Sequence, residues 1–409
     1  MPKNFIEIRR KSRAERGCLG ELCPRILHVI TGLGQGGAER QLSNLVDYGR
    51  DAFKTSVFSI RPLGVMADSV KHSGASLSSG EARTPQSIGW MTPLRTAIRD
   101  HNPDLVVGWM YHGNLGATVS RMLGYRGPVV WNIRHSVQDL SQEKWGTRNV
   151  IRVGALVSAQ ASRIIYNSET AAAQHERLGY KKRGRVVLPN GFDVHRFEPS
   201  PFARRDLRDS LGILETDLVL GVIGRFHPMK NHLGWMKAFA DLASMNRSLH
   251  CVMMGVGVDD PRGPVAQEIR KAGLSSRVHV IPPTDSPEIV YPALDILVLP
   301  SAFGEGFSNV VGEAMACGVP AAVTDVGDSP VLVGETGFVI EGTQPEDLAA
   351  GVASAIRLDQ GNLAERGRRA RERVINHYSL DVIGERYYAV LREALDNHGH
   401  KGCEKVGRT

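Results

Sequence analysis

Cysteine is scarce in this chain, and what there is forms no pattern. Cys18, Cys23, Cys251, Cys317 and Cys403 are odd in number and scattered, with no CxxC pair and no His-rich spacing. That excludes a disulfide scaffold and a zinc finger, and favours a reducing compartment. Long apolar runs are also missing. No stretch approaches the roughly 18–20 residues needed to span a bilayer. The first residues are charged (Arg9, Arg10, Lys11, Arg13, Arg16) with no apolar signal core after them, so a cytoplasmic protein is expected. Any membrane contact is then peripheral, at the cytoplasmic face of an inner membrane.

What is present is ordinary in bulk and uneven in layout. The 409 residues, 42% hydrophobic and 23% charged, are enough for two or three domains with real cores. The net charge of +7 raises the question of an anionic partner. Basic residues outnumber acidic ones 28 to 16 over residues 1–199, but are outnumbered 19 to 26 over residues 200–400. An even basic coat for wrapping nucleic acid would not divide this way, so no nucleic-acid partner is expected. A first half facing an anionic lipid surface fits the division, and solvated loops and arms such as Lys181–Lys182–Arg183 are the plainer alternative.

Residues 1–24 show no sustained period and read as a flexible basic arm. From Arg25 short apolar runs alternate with helical spacing. Strands are predicted at Arg25–Ile30, Thr55–Ile60, Leu105–Trp109, Val129–Asn132, Arg163–Asn167 and Arg185–Leu188. Pro199 and Pro201 read as a linker. The alternation resumes with strands at Leu218–Gly224, Cys251–Gly255, Val278–Ile281, Asp295–Pro300, Ala321–Thr324 and Gly337–Ile340. The expected class is α/β, with two doubly wound, Rossmann-like domains at 25–199 and 200–379 facing across a cleft. A C-terminal helix over 380–395, returning to the first domain, and a tail over 396–409 complete the chain.

Three stretches carry chemistry. Gly32–Gly37 formally fits GxGxxG after the first strand, but the second strand ends in Ile60–Arg61–Pro62 rather than in the acid that a dinucleotide ribose needs, which leaves only NADP open, with Arg61 meeting its 2′-phosphate. Gly36 and Gly37 instead suit close approach of helix amides to a bound group. Gly224–Arg225 and Lys230 place two cations after a buried strand, where a diphosphate would suit them. His227 and His232 beside them lack metal-ligand company and read as polar loop residues. Glu305 precedes a helix and Glu313 lies about a turn inside it, with Ser308 or Asn309 as its cap. Amides at that helix start suit phosphate, and the two carboxylates suit hydroxyls of a sugar and a ribose on either side of it.

Together, Gly36–Gly37–Ala38–Glu39, Gly224–Arg225, Lys230 and Glu305 through Glu313 resemble the retaining glycosyltransferases of family 4, which have the GT-B fold. Asn190–Gly191–Phe192–Asp193 is similar to that family's NG-x-D element, and Asp325–Val326–Gly327 to its late glycine turn. The resemblance covers roughly residues 25–395. It implies that Arg225 and Lys230 neutralise the diphosphate of a nucleotide sugar, that Glu305 holds sugar hydroxyls and that Glu313 holds the ribose. The backbone of Gly306, Phe307, Ser308, Asn309 and Val310 would take the phosphates. His135 would reach the transferred sugar from the first domain, while Tyr111, His112 and Asn114 are candidates to line the acceptor pocket.

The expected function is transfer of a hexose from a UDP- or GDP-sugar to a lipid-linked or saccharide acceptor in cell-surface polysaccharide or glycolipid synthesis, with no cofactor and no metal. No convincing DxD is seen, although Asp325 and Asp328 keep a cation open. A nucleotide-sugar epimerase, a phosphorylase on the same architecture and a non-catalytic nucleotide-sugar-binding protein are the alternatives.

Overall fold

The protein is described from a computed structural model, over residues 23–403. The arm expected over residues 1–24 thus lies outside the described residues save Cys23 and Pro24, as do the last six residues of the expected tail.

The described chain forms two compact units. The first runs to Gly191 and is joined by the chain from Leu380 onward; the second is Phe192–Ser379. The first holds seven strands: β1 (Arg25–Ile30), β2 (Lys54–Ser59), β3 (Ser76–Ser79), β4 (Leu105–Trp109), β5 (Val129–Ile133), β6 (Arg163–Tyr166) and β7 (Arg185–Val187). Its helices are α1 (Gly37–Gly49), α2 (Ala67–His72), α3 (Met91–His101), α4 (Met110–Val119), α5 (Trp145–Val157) and α6 (Glu169–Arg177). The second holds β8 (Leu218–Ile223), β9 (Leu249–Met254), β10 (Val278–Ile281), β11 (Ile296–Leu299), β12 (Ala321–Thr324) and β13 (Phe338–Ile340). Its helices are α7 (Pro201–Leu211), α8 (His232–Met245), α9 (Pro264–Lys271), α10 (Asn309–Ala316), α11 (Ser329–Val333), α12 (Pro345–Ile356) and α13 (Gln360–His377). Helix α14, Leu380–Cys403, returns to the first unit and runs past the expected end at Leu395.

Every strand pair is parallel, in the orders β3-β2-β1-β4-β5-β6-β7 and β10-β9-β8-β11-β12-β13. Parallel strands are covered by helices on both faces, which explains their unbroken apolar runs. In β1, Leu27 and Val29 enter one core and Ile26 and Ile30 the other. In β8, Val219 and Ile223 divide from Leu220 and Val222 in the same way. This is the two-residue period of a strand, buried twice over. The strand order reverses between β1 and β4, and again between β8 and β11; loops leaving those carboxyl ends are where open α/β sheets bind ligands.

Two expectations need correcting. Pro201 does not break structure but opens α7 at its first turn, where a missing N–H costs nothing, and Ser200 Oγ caps the helix by accepting from Ala203 N at 3.2 Å. The units part between Gly191 and Phe192, before the prolines, because the Phe192 ring belongs to the second core and fills the space a side chain on Gly312 would need.

Helix α14 is held in the first unit by its aromatic face. Tyr388 Oη donates to Leu45 O of α1 at 2.8 Å, and Tyr387 Oη accepts from Asn132 Nδ2 at 3.1 Å. Gly49 and Gly384 give these rings room: a Cβ on either would strike Tyr388 or Tyr48.

Candidate active site

The second unit builds its site around its switch point. The loop after β8 carries Gly224 to Lys230 and the loop after β11 carries Ser301 to Ser308, so the two flank the β8/β11 reversal. The loops meet. Lys230 Nζ donates to Glu305 Oε1 at 2.5 Å, and Ser301 Oγ donates to the same oxygen at 2.6 Å. Glu305 and Ser301 are buried and Lys230 is partly so. A carboxylate taken out of water is tolerable only with such partners. Both donors share Oε1, leaving Oε2 with no partner among the described residues.

Backbone detail explains the glycines. Gly255 has no room for a Cβ because the Gly224 carbonyl occupies that space, and Gly224 N donates to Met254 O at 2.8 Å. Gly327 sits at φ +63°, where its missing Cβ clears the Glu305 carbonyl, and Asp328 N donates to Gly306 O at 3.0 Å. The glycine turn after β12 therefore clamps the Glu305 loop from behind. Asp325 is exposed and Asp328 buried, and no group of three metal-ligating side chains occurs among the described residues.

His232 departs from expectation. It is buried in the first turn of α8, where its Nε2 lies 3.2 Å from the Gly224 carbonyl and burial lowers it to about 4. It is thus neutral, donates from Nε2 and ties down the Gly224 turn. His227 is the polar loop residue expected: exposed, with Nδ1 accepting from Met229 N at 3.2 Å. Arg225 is exposed, with no hydrogen bond or ion pair among the described residues.

Helix α10 follows, with Ser308 at its N-cap position but making no side-chain cap, and Phe307 buried against Phe192 and Tyr378. Gly306 and Phe307 lead into the helix, and Asn309 and Val310 are its first residues, whose amides have no acceptor within the helix. Glu313 is buried and oriented by Tyr291 Oη, which donates to its Oε2 at 2.7 Å. Ser301 and Tyr291 are functional-site partners the sequence did not flag. A hydroxyl at the end of an apolar run was the only trace of Ser301, and Tyr291 sits in a turn 22 residues from Glu313.

The remaining candidates lie in the first unit. Gly36 is the N-cap of α1, and the Glu39 carboxylate curls back into the space a Gly36 side chain would fill. Gly37 is the first helical residue. His135 follows β5, with Nε2 2.8 Å from Glu143 Oε1 and the Tyr111 ring edge-on at 6.3 Å. Tyr111 and Asn114 are not open to an acceptor. The Tyr111 hydroxyl lies 3.0 Å from His175 Nε2; His175 Nδ1 donates to Ala171 O, so Nε2 accepts. Asn114 spends its amide on Asn132, donating to its carbonyl at 3.2 Å and accepting from its N–H at 3.3 Å. His112 stays half-buried, with Gln86 Nε2 3.4 Å away, and burial lowers its pKa. Arg134, next to His135, carried no mark in the sequence. Its Nη1 donates to Asn190 Oδ1 at 2.8 Å, its guanidinium lies over Trp109, and burial lowers it to about 10.

Two doubly wound parallel sheets, the second with this charged loop pair at its switch point, define the GT-B class of folds. Among solved structures, this chain is similar to Anabaena HepE in complex with UDP and glucose (TM-score 0.77, 22% identity, 90% of this chain and 99% of that one). It is similar also to sucrose-phosphate synthase from Thermosynechococcus elongatus (TM-score 0.74, 17% identity, 92% and 100%). The chain belongs to the family 4 glycosyltransferases: residues 35–196 match the family described as Glycosyltransferase Family 4, and residues 203–373 match Glycosyl transferases group 1. A D-inositol 3-phosphate glycosyltransferase of Rhodococcus erythropolis is 30% identical over 256 residues, 60% of this chain and 56% of that relative. The match thus spans little more than half the length of that relative.

Proposed function

We propose that this chain is a retaining hexosyltransferase that uses a UDP- or GDP-sugar and delivers the sugar to a hydroxyl of a lipid-linked or saccharide acceptor. The reaction serves cell-surface polysaccharide or glycolipid synthesis on the cytoplasmic face of the inner membrane. The observation that carries the reading is the meeting of Lys230 and Glu305 at the switch point of the second sheet. A cation for the leaving diphosphate and a carboxylate for sugar hydroxyls stand side by side, and Glu305 Oε2 remains to accept from the hexose. That HepE was solved with UDP and glucose makes UDP-glucose the first donor to try.

In the proposed step the bond from the anomeric carbon to the diphosphate oxygen breaks as the acceptor oxygen bonds to that carbon from the same face. The acceptor's proton passes to the departing phosphate. Arg225, Lys230 and the start of α10 stabilise the charge that builds on the leaving group, the work a metal ion would otherwise do, so none is required. Glu313, set by Tyr291, takes the ribose, and His135, set by Glu143, approaches the transferred sugar.

The chain docks on anionic membrane to reach its acceptor. No helix among the described residues is long and apolar enough to cross one. The test is a mass-spectrometric screen of UDP-, GDP- and ADP-sugars against a membrane lipid extract. A hexose-bearing product with retained anomeric configuration is expected; donor interconversion without acceptor, or binding without turnover, would overturn the reading.

A further inference from the structure

Helix α5 carries bulky apolar side chains on its outer face as well as on the face that packs inward. Its inner face is buried at Ile151 and Gly154. Tyr180 packs there, with its hydroxyl donating to Ile151 O at 3.1 Å and filling the place of a Gly154 side chain. That is the face a helix on a sheet needs. The opposite side should be polar, yet Trp145 is 77% and Leu156 83% exposed, with Val153 beside them at 45%. Residues 145, 152 and 156 follow a spacing of seven and four, so Trp145, Arg152 and Leu156 form one outward stripe. The helix contains no acidic residue.

Scattered exposed apolar residues are normal. Here a cationic rim is fastened to the same end of the helix. Lys181 N donates to Ser158 Oγ at 3.0 Å and Lys181 Nζ to Ala159 O at 3.4 Å, which brings Lys181–Lys182–Arg183 beside the turn that follows α5. Arg121 Nη2 donates to Gln160 O at 3.4 Å, bringing Met122, itself 81% exposed, to that turn. Lys182 and Arg183 are exposed, as is Arg152.

We propose that this surface is where the chain docks on an anionic phospholipid bilayer, with α5 lying in the interface and Trp145, Leu156 and Met122 entering the headgroup boundary. A bulky apolar stripe, an aromatic residue at one end and cations with no carboxylate on the helix are complementary to such a leaflet. The same cations lie within the half of the chain where basic residues are in excess. The inference rests on the proposal of a membrane-borne acceptor and assigns its docking face.

The test uses the full chain and vesicles of phosphatidylcholine with or without phosphatidylglycerol. Of the five tryptophans, Trp90, Trp109, Trp131 and Trp235 are buried, so quenching by iodide reports Trp145. Binding to phosphatidylglycerol vesicles, protection of Trp145 from iodide and loss of both in high salt are expected. Leu156→Asp, and Arg152→Glu combined with Lys182→Glu, should each weaken binding about tenfold or more. Leu156→Asp should leave transfer to a water-soluble acceptor intact, whereas Lys230→Met should abolish transfer and still bind vesicles, so docking and transfer fail separately. Wild-type chain that ignores these vesicles, or Leu156→Asp binding them undiminished, overturns the proposal. So does a dimer in solution that Leu156→Asp dissociates, which would give the face to a second copy.

Discussion

The Lys230 ammonium stands 2.5 Å from Oε1 of Glu305, across 75 residues of sequence and from the opposite side of the switch point. Donor binding therefore cannot treat the two as independent: the residue that would meet the diphosphate also holds the residue that would meet the sugar. Lys230→Met should cost about 3–5 kcal/mol of stability, because it strands a buried carboxylate. The double variant Lys230→Met with Glu305→Gln should recover most of that stability, since no charge is left unpaired. Transfer should fall by about a hundredfold or more in both, as expected when a donor to developing charge is lost. Denaturant midpoints and kcat on the same samples check this; activity returning with stability would make the pair a folding element.

Gly327 gives a cleaner test of the Glu305 loop, since it has no side chain of its own to offer a ligand. Its φ of +63° and the Glu305 carbonyl behind it leave no room for a methyl group. Gly327→Ala should cost about 1–3 kcal/mol in strain and move the loop. The expected result is a raised KM for the donor. An unchanged KM beside a lowered melting temperature would show the loop to be held from elsewhere.

Most of both sheets was legible because strands buried on two faces leave continuous apolar runs; β1, β4, β10 and β12 match their predicted limits residue for residue. Strand β3 was not, because it lies at the sheet edge as Ser76, Leu77, Ser78 and Ser79, with the single Leu77 as its apolar mark. The charged members of the site were visible as types at a spacing. Their partners were not: Ser301 and Tyr291 act through single hydroxyls that only the folded chain brings to Glu305 and Glu313. Pro201 and His232 misled for a shared reason. Each residue type is common in loops, yet each here opens a helix, where proline loses no bond and a buried histidine can hold a neighbouring carbonyl.

The proposed chemistry places the leaving group's charge on Arg225, Lys230 and the start of α10. Transfer should therefore survive exhaustive chelation within about twofold, because no step draws on a metal's several kcal/mol of Lewis-acid stabilisation. Activity lost in chelator and restored by magnesium would move the charge stabilisation to a cation, with Asp325 and Asp328 the first residues to substitute.

Acid should unfold the protein through its buried histidines. Burial lowers His28 to about 3, with repulsion from His101 adding to it, and lowers His175 and His232 to about 4. Unfolded, each would titrate near its ordinary value of about 6.5. The folded values are depressed, so the unfolded chain takes up protons that the folded chain refuses. Stability is therefore full above about pH 6.5 and falls as pH drops, by about 1.4 kcal/mol per pH unit for each histidine, until the folded values are reached. Three such groups amount to roughly 4 kcal/mol per unit near pH 5, a large share of the usual 5–15 kcal/mol of a domain. The carboxylates held below their ordinary range, Asp104 and Glu215 among them, keep their contribution from pH 7 to 5 and begin to lose it only as pH falls through the ordinary carboxylate range. His28 and His175 belong to the first unit and His232 to the second, so the first should lose stability more steeply. Urea midpoints at pH 7, 6 and 5 would show the fall, and His232→Gln should flatten it in the second unit alone. Midpoints that hold steady from pH 7 to 5 would mean these imidazoles are protonated in the fold, and the neutral His232 clasp on Gly224 would have to be abandoned.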